Sequence, residues 1–486
     1  MQGKQYISYG MFPGYARERH LLFADEAQSK TVEANVINIY PDFTYQQIEG
    51  FGGAITESTA YLLSKMEPSV RREALSRFFG KDGIHTKYIR THIDSCDFAL
   101  DEYAAVGDPI SDPELLSFTL ARDQQYILPV IREAIEMADY ELSVLLSPWS
   151  PPAAWKTPPM LGKNDLAVYG LLGLKAPDLS APGRCYGGKL KPEYYSSWAR
   201  YLVKYVQNYL DEGIPVTMLS LQNEENAATA WDSCVWSADE IKLFLVEHLY
   251  PQMKAAGLLE KVELFFWDHN KERVIQRAAQ MLDAQTDQML QGIAFHSYSG
   301  DHFEAVSMLR EKYPRKTLMM SECCEMHAPG SNAAFPMIPV PFMTYERVDY
   351  KDAVHYAHEI IGNLNSGMNR WIDWNLVLDE KGGPRHVFGG CTAELVAKED
   401  GSFDECMIYH YVGHFSRYIL PGALRIGFSR CSDDFEMTAA QNTDGSLVLV
   451  ILNKTATDRR YYLRLNGYLA EVEIPGDTIS TLVILE

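Results

Sequence analysis

The sequence predicts a (β/α)8 TIM barrel with a β-sandwich side domain assembled from both chain ends. Three observations support this. Eight short apolar runs alternate with longer helical stretches between residues 46 and 404. The polar clusters sit at the C-terminal ends of those runs, where barrel enzymes keep their sites. The flanks, 1–45 and 405–486, carry short alternating runs punctuated by turn residues.

In chain order, "TVEANVINIY" (31–40) alternates and stops at Pro41-Asp42, a strand closed by a turn. The eight apolar runs then follow. They are "IEGFGG" (48–53), "IHTKYIRTHI" (84–93), "ELSVLLSPW" (141–149), "PVTMLSLQNE" (215–224), "VELFFWDHN" (262–270), "GIAFHSY" (292–298), "TLMMSE" (317–322) and "RWIDWNL" (370–376). Between them lie stretches such as "EYYSSWARYLVKYVQNYL" (193–210), whose Trp198, Tyr201, Leu202, Tyr205 and Tyr209 recur at helical spacing. A doubly wound open sheet is the competing arrangement, but no G-x-G-x-x-G follows the first run. From residue 436 the chain turns to short strands with turn signals at Asp444-Gly445, Asn466-Gly467 and Pro475-Gly476. The alternating N-terminal segment can pair into them, so both chain ends would share one sandwich.

The chain has 486 residues, enough for a barrel and something smaller, and its 47% apolar and 12% aromatic content supplies a large core. The net charge of −21 disfavours nucleic acid and anionic membrane surfaces as partners, because both call for a basic face. No apolar run reaches membrane-spanning length. The eight cysteines form no C-x-x-C and read as reduced, buried thiols. With no signal peptide visible in "MQGKQYISYGMF", they point to a cytoplasmic setting.

Strand four ends in Asn223-Glu224 and strand seven in Ser321-Glu322. Burying an unpaired carboxylate costs several kcal/mol, so one delivered to the end of an apolar strand implies a use. Strands four and seven of eight lie across the bore from each other, and two carboxylates facing over a pocket suit glycosidic bond chemistry. One is protonated to donate to the leaving oxygen, and the other is ionised to attack the sugar carbon. Asn223 can hold a hydroxyl beside the reacting carbon. Trp149 and Trp374, ending strands three and eight, offer faces on which sugars stack. Arg90, His92 and Asp97 follow strand two, Asp268, His269 and Asn270 end strand five, and His296 and Tyr298 end strand six, so the rim is rich in hydrogen-bonding groups. Glu225 is expected to point away from the bore. His296 by itself reads as a structural hydrogen bonder. Cys323 and Cys324 with His327 raise a thiol or metal reading, but no ligand spacing supports it.

These residues resemble glycoside hydrolase family 30. "IEGFGGAITES", "RTHIDSCDFAL", "SPWSPPAAWKT", "LQNEENA", "MMSECC" and "WIDWNLVLDEKGGP" are similar to the family's signatures at strands one, two, three, four, seven and eight. "YHYVGHFSRYILPGALRIG" (409–427) is similar to the segment leading into its side sandwich. The resemblance implies a retaining β-glycosidase with Glu224 as acid/base and Glu322 as nucleophile. It implies glycone contacts from Arg90, Asp97, Trp149, Asn223 and Trp374, and no metal or organic cofactor. Three positions depart from the family pattern: Glu225 replaces the usual Pro, His296-Ser297-Tyr298 replaces His-Trp-Tyr, and Gly389 stands where glucosylceramidases carry Asn. Glucosylceramide is therefore not carried over as the substrate.

The expected activity is exo release of single β-glucosyl units from small glycosides or oligosaccharides. A β-xylosidase or an endo-β-1,6-glucanase is the neighbouring reading, and a non-catalytic sugar-binding protein is the one from another class. A retaining site predicts carboxyl groups about 5–5.5 Å apart. The segments 157–190 and 227–236 are expected to wall the open side of the pocket.

Overall fold

A computed structural model of the chain describes residues 1–10, 16–28, 34–160, 180–325, 349–387 and 390–485. Eight parallel strands close into a barrel: Gly50–Ala54, Tyr88–Ile93, Ser143–Pro148, Val216–Ser220, Glu263–Asn270, Gly292–His296, Thr317–Glu322 and Arg370–Asn375. They neighbour one another in chain order, as the eight apolar runs predict, and are numbered one to eight below. The Gly-rich first strand has a packing reason. A Cβ on Gly52 would lie 2.2 Å from the carbonyl oxygen of Tyr88, so only glycine lets strands one and two approach this closely.

The bore is filled, not open. Tyr88, Leu145, Met218, Phe265, Ala294, Met319 and Ile372 pack across it as one buried layer. Helices coat the outside. The helix Tyr195–Asp211 buries the predicted stripe of Trp198, Tyr201, Leu202, Tyr205 and Tyr209. A capping box of Ser237 and Glu240 starts the helix Ala238–Phe244.

The flanking segments meet in one ten-stranded sheet wrapped around its own core. Strand Gln2–Tyr9 pairs antiparallel with Thr478–Leu485, so the N-terminal strands do enter the C-terminal domain. Strand Leu447–Asn453 is buried throughout because it faces two cores. Leu447, Leu449 and Ile451 enter the sandwich core, while Val448, Val450 and Leu452 pack with the barrel's outer layer. His414, on the helix Met407–Ser416, sits at that junction, 2.8 Å from both Thr481 Oγ1 and Ser8 Oγ. Asn466-Gly467 makes the expected tight hairpin, both residues taking positive φ (50° and 79°).

Pro41-Asp42 differs from expectation. The strand Val36–Ile48 continues through it, and residues 41–43 bulge out between the pairs Gly427↔Tyr40 and Ile426↔Thr44. Proline has no N–H to give a ladder, so a bulge accommodates it without ending the strand.

Candidate active site

The polar strand ends meet at the C-terminal mouth of the barrel. Beyond strand four the chain turns sharply. Asn223 N–H donates to Pro148 O and Glu224 N–H to Asp268 O, each at 2.8 Å, which ties the turn to strands three and five. Glu224 is held at φ 47°, a left-handed conformation that a long side chain adopts only where its surroundings impose it. Strand five bulges beside it. Ala294 pairs with Trp267 but Phe295 pairs with His269, so Asp268 is an extra residue. Trp267 and Asp268 both take positive φ, 77° and 44°.

The bulge drops the Asp268 carboxylate beneath the rim. It accepts from Arg90 Nη2 (3.0 Å), Ser220 Oγ (2.7 Å), Ser147 Oγ (3.2 Å) and Ser321 Oγ, and meets His296 Nε2 at 3.0 Å. Burial opposes its charge, but Arg90 and His296 outweigh burial and hold the group well below the usual carboxylate range. Arg90 is fully buried and donates in turn to Glu322 Oε2, to Asn223 Oδ1 (2.7 Å) and to Ser147 Oγ (3.2 Å). Its guanidinium lies 4.8 Å from the Trp149 ring centre and 5.2 Å from that of Trp374.

Glu322, at the end of strand seven, is gripped on both oxygens, by Arg90 on Oε2 and by Tyr298 Oη on Oε1 at 2.8 Å. Among the described residues, Glu224 has no such guanidinium. Its Oε1 lies 3.4 Å from His296 Nδ1 and 3.6 Å from His269 Nδ1. Burial pushes Glu224 up, and the two imidazoles press it down more strongly, below the ordinary range. Burial lowers His296, but Glu322, Asp268 and Glu224 around it raise the imidazole to about 9. His296 Nε2 is also 3.9 Å from Glu322 Oε2, so one ring touches both carboxylates.

Glu224 and Glu322 line a cavity of about 120 Å³, together with Asp97, Trp149, Asn223, Tyr298 and Trp374. With His269 and Asn270, which also line it, nine of the thirteen mouth residues named from sequence share one pocket. Arg90 and His296 lie a layer deeper and act on the pocket through the two glutamates. Trp149 and Trp374 stack on each other, with ring centres 5.4 Å apart and 23° between planes, where the sequence suggested separate faces. His92 is not at the rim. It is buried, accepting from Glu57 N–H at 3.0 Å. Glu225 points away from the pocket to Arg277, 3.0 Å away.

Asp97 faces Arg385, whose Nη2 is 3.2 Å from Oδ2 and which also lines the cavity. Sequence reasoning missed Arg385. The available signal was its place directly after Gly-Gly-Pro, a turn that folds the chain back over the mouth. Cys324 and Cys391 line the wall as well. Burial pushes the Cys323 and Cys324 thiols far up, which disfavours a thiolate nucleophile. From the segment 227–236, Ala227, Thr229 and Trp231 reach the pocket. His327, Gly389 and residues 161–179 of the segment 157–190 lie outside the described residues.

Among known proteins, the glycosyl hydrolase family 30 TIM-barrel domain matches residues 48–419, and that family's β-sandwich domain matches 422–482. The lysosomal acid glucosylceramidase of Mus musculus is 28% identical over 443 residues, 88% of this chain and 79% of that one. The endo-1,6-beta-D-glucanase neg1 of Aspergillus fumigatus is 24% identical over 451 residues, 90% of this chain and 85% of that one. The crystal structure of SrfJ from Salmonella typhimurium superposes with a TM-score of 0.87 at 29% identity, covering 100% of both chains.

Proposed function

The chain belongs to glycosyl hydrolase family 30, and on that premise we propose that it is a retaining, exo-acting β-glycosidase that releases β-glucosyl units from small glycosides or oligosaccharides. The observation that carries this is the pairing of Glu224 and Glu322 in one small cavity, each in a different electrostatic setting. Glu322, oriented by Arg90 and Tyr298, is suited to attack the sugar carbon and form a glycosyl-enzyme. Glu224 is the acid/base.

The proton that Glu224 donates is held jointly with His296. Burial disfavours the imidazolium, but Glu322 and the other carboxylates around it support the cation, so before attack the proton resides on the imidazole side. As Glu322 attacks, its charge passes into the new C–O bond and that support disappears. The His296 proton is then driven toward Glu224 and on to the leaving oxygen, which couples nucleophilic attack to acid catalysis. The 3.4 Å contact is long for proton transfer and would tighten in the reacting complex. After glycosylation, Glu224 takes the proton of the incoming water. Asn223 accepts from Arg90 through Oδ1, and its NH₂, which makes no hydrogen bond among the described residues, can donate to a sugar hydroxyl.

Exo action is supported by size. About 120 Å³ falls well below the ~300–1,000 Å³ of pockets for larger ligands. The Arg385–Asp97 pair stands among the lining groups, where it would close the pocket behind the sugar. The Aspergillus relative favours a second reading, an endo-β-1,6-glucanase. Product analysis on β-linked gluco-oligosaccharides separates the two. Glucose alone from the first minutes supports exo action, while a ladder of internal fragments supports the endo reading. Early product of β configuration by NMR supports retention, and the α anomer contradicts it.

A further inference from the structure

We propose that Arg385 is a positioning residue for the sugar: it aims Asp97 at the closed end of the pocket, so that the pH range of glycone binding is set by a loop outside the eight strands. This rests on the assignment of the pocket to a glycone.

Asp97 is 8% exposed, and Arg385 meets its Oδ2 at 3.2 Å. The Arg385 guanidinium lies over the Phe98 ring, 4.5 Å from its centre, and a stacked planar cation has few orientations left. The backbone around Arg385 is fastened on both sides. Asp379 Oδ1 accepts from the amides of Lys381 and Gly383 at 2.9 Å. Ser58 Oγ donates to Pro384 O, and His386 N–H donates to Ala99 O at 3.0 Å. The loop after strand eight is thereby laced to the loop that carries Asp97. His386 reaches Asp232 at 3.2 Å, and Asp232 is held by Arg184 at 2.7 Å. The clasp therefore joins segments that follow strands one, two, three, four and eight.

The charged groups facing Asp97 are Arg385 and His386 from this loop, Glu322 from strand seven, and Glu224 from the turn after strand four. Cys96, its neighbour on its own loop, is a buried thiol raised by burial and adds no charge. Burial pushes Asp97 up to about 7, against the pull of Arg385 and with the push of Glu322. An ionised Asp97 accepts hydroxyl hydrogen bonds on both oxygens, and a protonated one loses part of that capacity. Removing Arg385 takes away the opposing charge, so Asp97 stays protonated to higher pH. Sugar binding should then weaken at acid and neutral pH and recover as pH rises.

The test compares wild type, Arg385→Met and Arg385→Lys on an aryl β-glucoside across pH. Arg385→Met should raise KM about tenfold on the acid side, leave kcat within about twofold, and move the acid edge of kcat/KM up by about one pH unit. Arg385→Lys should restore part of that shift. Superimposable pH profiles, or a fall in kcat at unchanged KM, overturn the proposal. A second readout needs no turnover: a carbon-13 NMR titration of labelled aspartate carboxyls, with Asp97→Asn assigning the resonance. Its midpoint should rise in Arg385→Met, and an unmoved midpoint overturns the proposal whatever the enzyme hydrolyses. If Arg385→Met does not fold, Arg385→Lys should show a smaller shift in the same direction, and an unshifted midpoint there also overturns it. Wild type that hydrolyses no glycoside, with the midpoint shift intact, counts against the proposed activity and not against the Arg385–Asp97 pairing.

Discussion

The two mouths of the barrel each hold an arginine between two carboxylates and two aromatic rings. At the N-terminal mouth Arg370 pairs with Glu49 (2.6 Å) and Glu263 (2.7 Å) and lies over Tyr88 and Phe265. At the C-terminal mouth Arg90 pairs with Asp268 and Glu322 and lies over Trp149 and Trp374. The ingredients match but the settings do not. Glu49 and Glu263 keep side chains 24% and 34% exposed beside an open hollow of about 730 Å³, and neither they nor Arg370 takes a positive φ. The C-terminal mouth adds a third carboxylate, Glu224, that no arginine among the described residues reaches, and the positive φ of Glu224, Trp267 and Asp268. The larger hollow is therefore the quieter end. Crowded carboxylates and imposed backbone strain mark the chemistry better than volume does.

Four substitutions break or sharpen this contrast. The largest effect is expected at Glu322→Gly, which should lose turnover by about 10⁴-fold or more. Added azide should restore part of it as an α-glycosyl azide, detected by NMR. Near-normal activity in that variant would remove Glu322 from the nucleophile's role. Glu224→Ala should follow, with a loss of about 10²–10⁴-fold on glycosides with poor leaving groups. The first step on dinitrophenyl glycosides, which require little protonation, should be largely spared. Equal losses on both substrate types would rule out acid catalysis by Glu224.

Arg370→Met is the counterpart at the other mouth. It leaves Glu49 and Glu263 unpaired, but their exposure limits the penalty, and the stability loss should be about 2 kcal/mol. Thermal unfolding measures that loss, and kcat on an aryl glycoside should stay near wild type. A collapse of kcat in the folded variant would erase the distinction between the two ends. The last effect, which vanishes at acid pH, concerns Glu225, just outside the bore. Burial pushes it up to about 8 from its usual 4.5, despite Arg277. Between those values the unfolded chain is ionised while the folded chain keeps the proton, so stability falls as pH rises through the window. Glu225→Gln removes this titration. Its stability advantage, followed by unfolding measurements across pH, should be absent near the low end of the window and grow to about 1–3 kcal/mol at the top. A pH-independent difference would refute the assignment.

The strands were legible because each apolar run is buried along its length and stops where its polar end emerges. Depth was not. Arg90, His92, Asp268 and His296 were all read as rim residues, and all are fully buried. What lowers Asp268 is a single-residue bulge against strand six, which no local pattern in "FFWDHN" announces. The stacking of Trp149 on Trp374 likewise depends on the curvature that brings strands three and eight together. Arg385 was missed because its place is set by hydrogen bonds to Ser58 and Ala99, residues that sit about 290 or more positions away in the sequence. Glu224 and Glu322 needed none of this, since strand order alone puts them on opposite walls.

The register Gln2↔Leu485, in the pairing of strand Gln2–Tyr9 with Thr478–Leu485, bears on synthesis as well as on architecture. A chain made from its N-terminus presents Gln2–Tyr9 long before its partner leaves the ribosome. All eight barrel strands are translated in the interval, so the barrel can close while the side sheet still lacks its inner strand. The waiting strand carries an unpaired edge toward that gap, the kind of surface that other chains can add to. Closing a contact across so many residues also slows the last step of folding. Aggregation during expression should therefore track delays in completing the C-terminal hairpins more closely than it tracks the strength of the barrel itself.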